Sequence, residues 1–213
     1  QPMATADGRH VIVFNGEIYN HADLRPRLAG VAFRGHSDTE TLLYALAGSG
    51  TDVVRELNGI FAFAWLDIAG CRLYLVRDPF GVKPLYYAST GNGFAFASEL
   101  KPLLRLVPGR VDSGNLATLL KLRFSPSPDT LFAGIHRLRP GHVLELRLDA
   151  EAPVAREFPY IGKAGTGAAR PGMPAAVQRY GELFTRAVER QLMSDVEIGV
   201  FLSGGVDSAL VAA

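Results

Sequence analysis

The sequence is poor in the features that mark several common protein classes. It has one cysteine in 213 residues, Cys71, which excludes an internal disulfide framework and fits a reducing cytoplasm. Its longest apolar run, Ile60–Leu66, is far too short to span a bilayer and is followed by Asp67. The opening residues have neither the basic start nor the apolar core of a secretory signal. Charge of one sign is concentrated nowhere and the formal net charge is +1, so nothing points to nucleic acid, a membrane or another polyanion surface as partner. The five histidines (His10, His21, His36, His136, His142) show no metal-ligand spacing. No internal repeat is present.

What the chain does have is 48% hydrophobic and 20% charged residues, enough to bury the core of one full domain and part of another. It opens on Gln1-Pro2-Met3 and stops at Val211-Ala212-Ala213 within a helical pattern, and so reads as an internal fragment of a longer protein. The central stretch is Val11–Asn20. Val11 to Phe14 form a short buried strand that breaks into Asn15-Gly16-Glu17. Asn-Gly is a common hairpin turn. At a strand end it also sets an amide NH₂ beside an unobstructed backbone N–H, two donors suited to a developing oxyanion. A hairpin needs a second strand at once, whereas Asn20-His21-Ala22-Asp23 reads as a capped helix start, continuing through Leu28.

Ser37 and Glu40 have capping-box spacing and begin a helix that ends at Gly48. Ile60–Asp67 with Arg72–Arg77, and Leu85–Ser89 with Gly93–Ala97, predict two hairpins; short helices follow near Glu99–Leu104 and Leu116–Leu122, then a late strand at His142–Leu148. Hairpins with interspersed helices favour the α+β class, helices layered on antiparallel sheets. We expect a first domain over 1–150 and a linker over 151–176, where Ala, Gly and Pro crowd without an apolar period. A second domain is expected to begin in 177–213. There Val177–Met193 carries Val177, Tyr180, Phe184, Val188 and Leu192 on one helical face, Glu197–Leu202 predicts a strand, and Ala209–Ala213 a helical start. That order is the opening β-loop-α of a parallel α/β domain.

Between that strand and helix lies Ser203-Gly204-Gly205-Val206-Asp207-Ser208. Paired glycines turn backbone N–H groups inward, and a helix N-terminus and two hydroxyls add donors, which together suit a phosphate or pyrophosphate. It is not a Walker A loop, since the spacing differs and the lysine is missing. Asp207 is either a helix cap or a Mg²⁺ ligand.

SGGVDS on a strand-to-helix turn resembles the pyrophosphate-binding loop of the ATP pyrophosphatases. Upstream, Asn15-Gly16-Glu17-Ile18-Tyr19-Asn20, Ser37-Asp38-Thr39-Glu40, Arg77-Asp78-Pro79-Phe80-Gly81-Val82-Lys83-Pro84-Leu85-Tyr86-Tyr87 and Ala97-Ser98-Glu99-Leu100-Lys101 resemble the class II glutamine amidotransferase domain. Both halves in this order are similar to the glutamine-hydrolysing asparagine synthetase family. The resemblance implies an Ntn-hydrolase-like sandwich of antiparallel sheets flanked by helices. It makes Asn15 and Gly16 the oxyanion pair, and Glu17 and Asp38, with that pair, the glutamine-binding residues, the two carboxylates holding the substrate's α-ammonium. It assigns Leu202, Ser203, Gly204, Gly205, Val206, Asp207 and Ser208 to ATP, with Mg²⁺ as the accompanying ion, and leaves the Arg77–Tyr87 run architectural.

The implied activity converts glutamine, aspartate and ATP to asparagine, glutamate, AMP and pyrophosphate in the cytoplasm; a homodimer is left open. The family's N-terminal nucleophilic cysteine and an upstream arginine have no counterpart here, and Cys71 lacks the surroundings of a substitute, so the 213-residue piece is expected to be inactive. Two other readings stay open: an amidotransferase acting on another carboxylate, such as a polysaccharide or β-lactam precursor, and a degenerate sensing module.

Overall fold

The computed structural model describes residues 1–91, 93–149, 154–162, 171–194 and 196–213. Two compact units divide the chain, Gln1–Gly162 and Lys163–Ala213.

The first unit is built on two antiparallel sheets. The larger orders its strands β1 (Met3–Ala4), β2 (His10–Ile18), β3 (Gly59–Asp67), β4 (Arg72–Arg77), β8 (His142–Arg147) and β9 (Val154–Pro159); the smaller orders β6 (Gly93–Ala97), β5 (Tyr86–Thr90) and β7 (Ile135–Arg137). Helices α1 (His21–Leu24) and α2 (Asp38–Ser49) follow β2, and α3 (Leu100–Leu103) and α4 (Ser113–Leu122) follow β6.

The period of two in β3 explains the layering. Phe61, Phe63 and Trp65 point to one face of the large sheet, where Ile12, Phe14 and Ile18 of β2 join Leu42, Leu43 and Leu46 of α2 in one buried cluster. Ala62 and Ala64 point to the other face, where they meet Leu75, Leu144 and Leu146 and pack against Leu85 and Leu138 from beside the small sheet. Small side chains there let the two sheets approach closely. The small sheet's outer face, through Ala88 and Ile135, is covered by Leu103 of α3. Helix, sheet, sheet, helix is therefore the layer order, and the expected α+β sandwich is what the chain forms.

Local expectations fail where tertiary contacts decide. Helix α1 stops at Leu24 and passes into a 3-10 turn at Arg25–Arg27, and Asn20 makes no cap hydrogen bond. Its side chain instead bridges to Glu56 O (2.9 Å) and Asn58 N (2.8 Å), fixing the approach to β3. The stretch expected as a linker contains β9, whose full-length pairing with β8 orders a segment with no apolar period of its own. Residues 151–153 and 163–170 of that stretch lie outside the described residues.

The second unit contains α5 (Met173–Gln191) and α6 (Val206–Ala212). Helix α5 starts ahead of the expected Val177, with a proline in its first turn. Phe184 and Val188 of α5 and Leu192 just past its end line an apolar groove with Ile198, Phe201 and Val211. The strand expected at Glu197–Leu202 does not form: the segment has no regular secondary structure, and no strand among the second unit's described residues offers it a ladder. Among the described residues no helix is long and apolar enough to cross a membrane.

Candidate active site

The open edge of β2 carries the site. β1 pairs with β2 only at Met3–Ile12 and Ala4–Val11. Beyond that point side chains take the strand's outward N–H groups. Phe14 N–H donates to Gln1 Oε1 (2.6 Å) and Ile18 N–H to Asp38 Oδ2 (2.9 Å). Alternation along the strand turns the Gly16 N–H toward that same edge, between these two. Asn15 faces the opposite way in the ladder, opposite Ala62, and its half-buried amide Nδ2 donates to Ser98 Oγ at 3.3 Å. Neighbouring residues thus offer one side-chain N–H and one main-chain N–H. Past Gly16 the strand runs on to Ile18, so Asn-Gly is not a hairpin turn.

Glycine at position 16 is a steric requirement. Its φ is +152°, and a Cβ there would overlap the Ile60 carbonyl oxygen and come within 2.7 Å of Phe61 Cα. The facing strand has the matching device: a Cβ on Gly59 would overlap Glu17 O and lie 3.0 Å from Ile18 Cα. Gly59 and Ser98 are the residues that local reading did not assign to the site. The Ala97–Lys101 motif contained Ser98 as a signal, whereas Gly59 has meaning only once β3 is paired with β2.

The two expected carboxylates flank the donors. Glu17 shares the strand face of Asn15, and burial, with the charges of Glu17 and Asp78, raises the Tyr19 hydroxyl above its ordinary range. Asp38 opens α2. Besides Ile18 N–H it accepts Thr39 N–H and Thr39 Oγ1–H through Oδ1. Ser37 caps α2, accepting Glu40 N–H at 3.2 Å. Glu40 does not close the box back to Ser37; it accepts Arg34 N–H (2.8 Å) and Gly35 N–H (2.9 Å), folding the preceding loop over the helix start.

Behind β3 stands a buried corner. The Arg77 guanidinium donates to three carbonyls, those of Lys83, Leu138 and Gly81, each at 2.7 Å. Burial pulls its pKa below the usual arginine value. Asp78, fully buried, accepts Phe80 N–H (3.0 Å), Val82 N–H (3.0 Å) and Lys83 N–H (2.9 Å). These three N–H groups of the Asp78-to-Lys83 turn are thereby answered by one carboxylate, so the run is a scaffold for the sheet end.

Cys71 lies elsewhere. It occupies the exposed turn between β3 and β4 with φ +50°. That turn is beyond Asp67, and from Ala62, the partner of Asn15, to Asp67 the strand runs about 17 Å.

In the second unit, Gly205 precedes α6 and Gly204 has φ +78°. Ser203 Oγ and Ser208 Oγ are 2.9 Å apart, and Gly205 N–H reaches Ser203 Oγ at 3.4 Å. The loop closes on its own hydroxyls, with Leu202 and Val206 exposed beside it. Asp207 lies in the first turn of α6. Among the described residues no group of three His, Cys, Asp or Glu side chains is placed to hold a metal ion.

Residues 1–158 match the family model described as "Glutamine amidotransferase domain", and residues 179–213 match that described as "Asparagine synthase". Glutamine-hydrolyzing asparagine synthetase 3 of Bacillus subtilis (strain 168) is 40% identical over 220 residues, covering 100% of this chain and 35% of the relative. Glutamine-hydrolyzing asparagine synthetase 1 of the same organism is 34% identical over 214 residues, covering 99% of this chain and 33% of the relative. The chain therefore spans about a third of the length of the curated relatives it matches. Among solved structures, the glutamine phosphoribosylpyrophosphate amidotransferase from B. subtilis superposes with a TM-score of 0.52 at 18% identity, over 100% of this chain and 46% of that one, a likeness of fold. The match over residues 1–158 covers most of the chain, and the chain belongs to the glutamine amidotransferase domain family.

Proposed function

We propose that the protein containing this chain is an ATP-dependent amidotransferase that forms asparagine. The carrying observation is a pair of donors on neighbouring residues of β2, the Gly16 N–H turned to the open edge and Asn15 Nδ2 beside Ser98, with the carboxylate of Glu17 next in the chain and that of Asp38 bonded at Ile18 N–H. A cysteine thiolate at the N-terminus of the complete protein would attack the side-chain carbonyl of glutamine. Charge then develops on that oxygen, where the two donors lower the barrier; losing one such donor typically costs about 10²–10³ in rate. Collapse of the intermediate releases ammonia and leaves a thioester, which water hydrolyses to glutamate. Glu17 and Asp38 hold the α-ammonium through charge-assisted bonds, orienting glutamine without entering the chemistry.

The match of residues 179–213 to asparagine synthase and the SGGVDS loop support the second half-reaction. There the side-chain carboxylate of aspartate attacks the α-phosphorus of ATP, pyrophosphate leaves, and ammonia displaces AMP from the acyl adenylate. Ser203, Gly204, Gly205 and Ser208 supply hydroxyl and backbone donors to the departing pyrophosphate; Leu202 and Val206 border it. Asp207 offers one carboxylate that would face Mg²⁺ bound with the nucleotide.

The test is product analysis on the complete protein. Aspartate, glutamine and ATP should give asparagine, AMP and pyrophosphate in equal amounts. Pyrophosphate release with a different carboxylate and none with aspartate would reassign the acceptor. A complete reading frame without a cysteine after the initiator methionine, together with ammonia but not glutamine as nitrogen donor, would remove the glutaminase step.

A further inference from the structure

The Arg77–Asp78 corner is tied to the donor pair by two adjacent rungs of the large sheet. On the first, Arg77 stands opposite Ala62, which stands opposite Asn15. On the second, Asp78 N–H donates to Phe61 O at 2.8 Å, and Phe61 stands opposite Gly16. We propose that Asp78 is a positioning residue for the oxyanion donors, acting through β3 on the backbone of Gly16. The proposal rests on the glutaminase reading and adds to it a residue that touches no substrate.

Gly16 has no slack. β3 approaches so closely that not even a methyl group fits between Gly16 and Ile60 O. The direction of the Gly16 N–H is therefore set by where Ile60 and Phe61 lie. Phe61 O is held by Asp78 N–H, and Asp78 is held in turn by its own carboxylate, which gathers Phe80, Val82 and Lys83 N–H groups from a single turn. The corner is locked from the other side as well. The ladder between β4 and β8 ends at Val76–Val143; just past it Gly141 N–H takes the Asp78 carbonyl (2.9 Å) and the Tyr160 hydroxyl takes the Arg77 carbonyl (2.9 Å). Side chains and main chain thus replace the missing rungs, fixing the end of β4 that presses β3 onto β2. A displacement of a catalytic donor by about 1 Å is enough to cost on the order of 100-fold in rate.

The experiment compares Asp78→Asn with the wild type in the complete protein. An asparagine keeps the volume and one accepting oxygen, but its NH₂ must face one of the three N–H groups, so the turn loosens without losing its shape. Glutamine hydrolysis should fall about 10- to 100-fold in kcat, with KM for glutamine within about twofold. Asparagine formation from free ammonia should stay within about twofold in the same samples, which a general loss of folding would not allow. An unchanged kcat in the folded variant overturns the proposal, as does a parallel loss of the glutamine- and ammonia-driven rates. If Asp78→Asn does not fold, Tyr160→Phe removes one bond from the same corner and should lower kcat in the same selective way; selective loss supports the proposal and unchanged kcat overturns it. A wild-type protein that uses ammonia but never hydrolyses glutamine sinks the glutaminase reading itself, a result distinct from either variant outcome.

Discussion

Asp38 Oδ2 accepts the backbone N–H of Ile18 at 2.9 Å, so the first residue of α2 is fastened to the open edge of β2 two positions beyond Gly16. This one contact brings a helix start and a strand end into a single site. It also limits what the carboxylate can do. An ionised carboxylate has about four acceptor positions. Ile18 N–H, Thr39 N–H and Thr39 Oγ1–H occupy three of them, which leaves one for the ammonium that the proposed function assigns to it.

Asp38→Asn therefore has two separable consequences. The amide NH₂ cannot answer the donors of both Ile18 and Thr39, so stability should fall by about 1–3 kcal/mol, read by urea denaturation. Loss of the negative charge should also raise KM for glutamine about tenfold or more in the complete protein, because a charge-assisted bond to the ammonium contributes about 1.5–3 kcal/mol. A stability loss with unaltered KM would leave Asp38 as a helix-start fastener alone.

Gly16→Ala tests the close approach of β2 and β3. The added methyl meets backbone at both Ile60 O and Phe61 Cα, and neither can rotate away. Overpacking combined with a positive φ should destabilise the first unit by about 3 kcal/mol or more. Chain carrying Gly16→Ala should show a midpoint shift of that size in chemical denaturation or accumulate as insoluble protein. Gly59→Ala should do the same, since its Cβ meets Glu17 O and Ile18 Cα. A folded Gly16→Ala protein with wild-type stability would mean that β3 has more freedom than the packing allows.

The contrast between Gly16 and Gly59 marks how far sequence alone reaches. Asn15-Gly16 after a β-branched run is a local signal, and so are the Ser37 cap and the α2 helix that follows it. The hairpins of β3 with β4 and of β5 with β6 carry their own alternation and turns. Gly59, by contrast, reads locally as the end of a turn, and only the register of two distant strands gives it a role at the site. Glu40 has the right spacing for a capping box, yet its carboxylate is drawn to Arg34 and Gly35 because the loop before α2 folds back. β9 has no periodicity to read; it is ordered by the free edge of β8 and by Tyr160. The segment Glu197–Leu202 is the converse, a strand-like sequence without a neighbouring strand among the second unit's described residues.

Tyr160 predicts an alkaline limit to stability. Burial first, and then the negative charge of Asp78, raises its hydroxyl well above the ordinary value of 10.0. Proton counting sets the sign. Above pH 10 the unfolded chain has released this proton while the folded chain still holds it, so folding is disfavoured as pH rises. The contribution is fully present below about pH 10 and is lost as pH climbs toward the folded value, the loss reaching about 1.4 kcal/mol by pH 11. Tyr19 and Tyr87 shift in the same direction, each chiefly through burial. Between pH 8.5 and 11 the wild type should therefore lose more stability than Tyr160→Phe by that amount, read from denaturation curves at the two pH values. Parallel losses in both proteins would remove Tyr160 as a source of the limit.

Cys71 provides the opposite kind of test, at a position where little should happen. It is exposed, and its φ of +50° places a side-chain-bearing residue in the left-handed region. Glycine adopts that conformation without steric cost, so Cys71→Gly should be neutral or stabilising by up to about 1 kcal/mol. The thiol itself should react with a thiol-specific reagent in the native protein as readily as in the unfolded chain. Glutamine hydrolysis by the complete protein should be unchanged by Cys71→Gly, because the turn lies at the opposite end of β3 from Asn15 and Gly16. Loss of glutaminase activity in a stable Cys71→Gly protein would place a thiol in the chemistry at the wrong end of the sheet, and would overturn the assignment of the site to the open edge of β2.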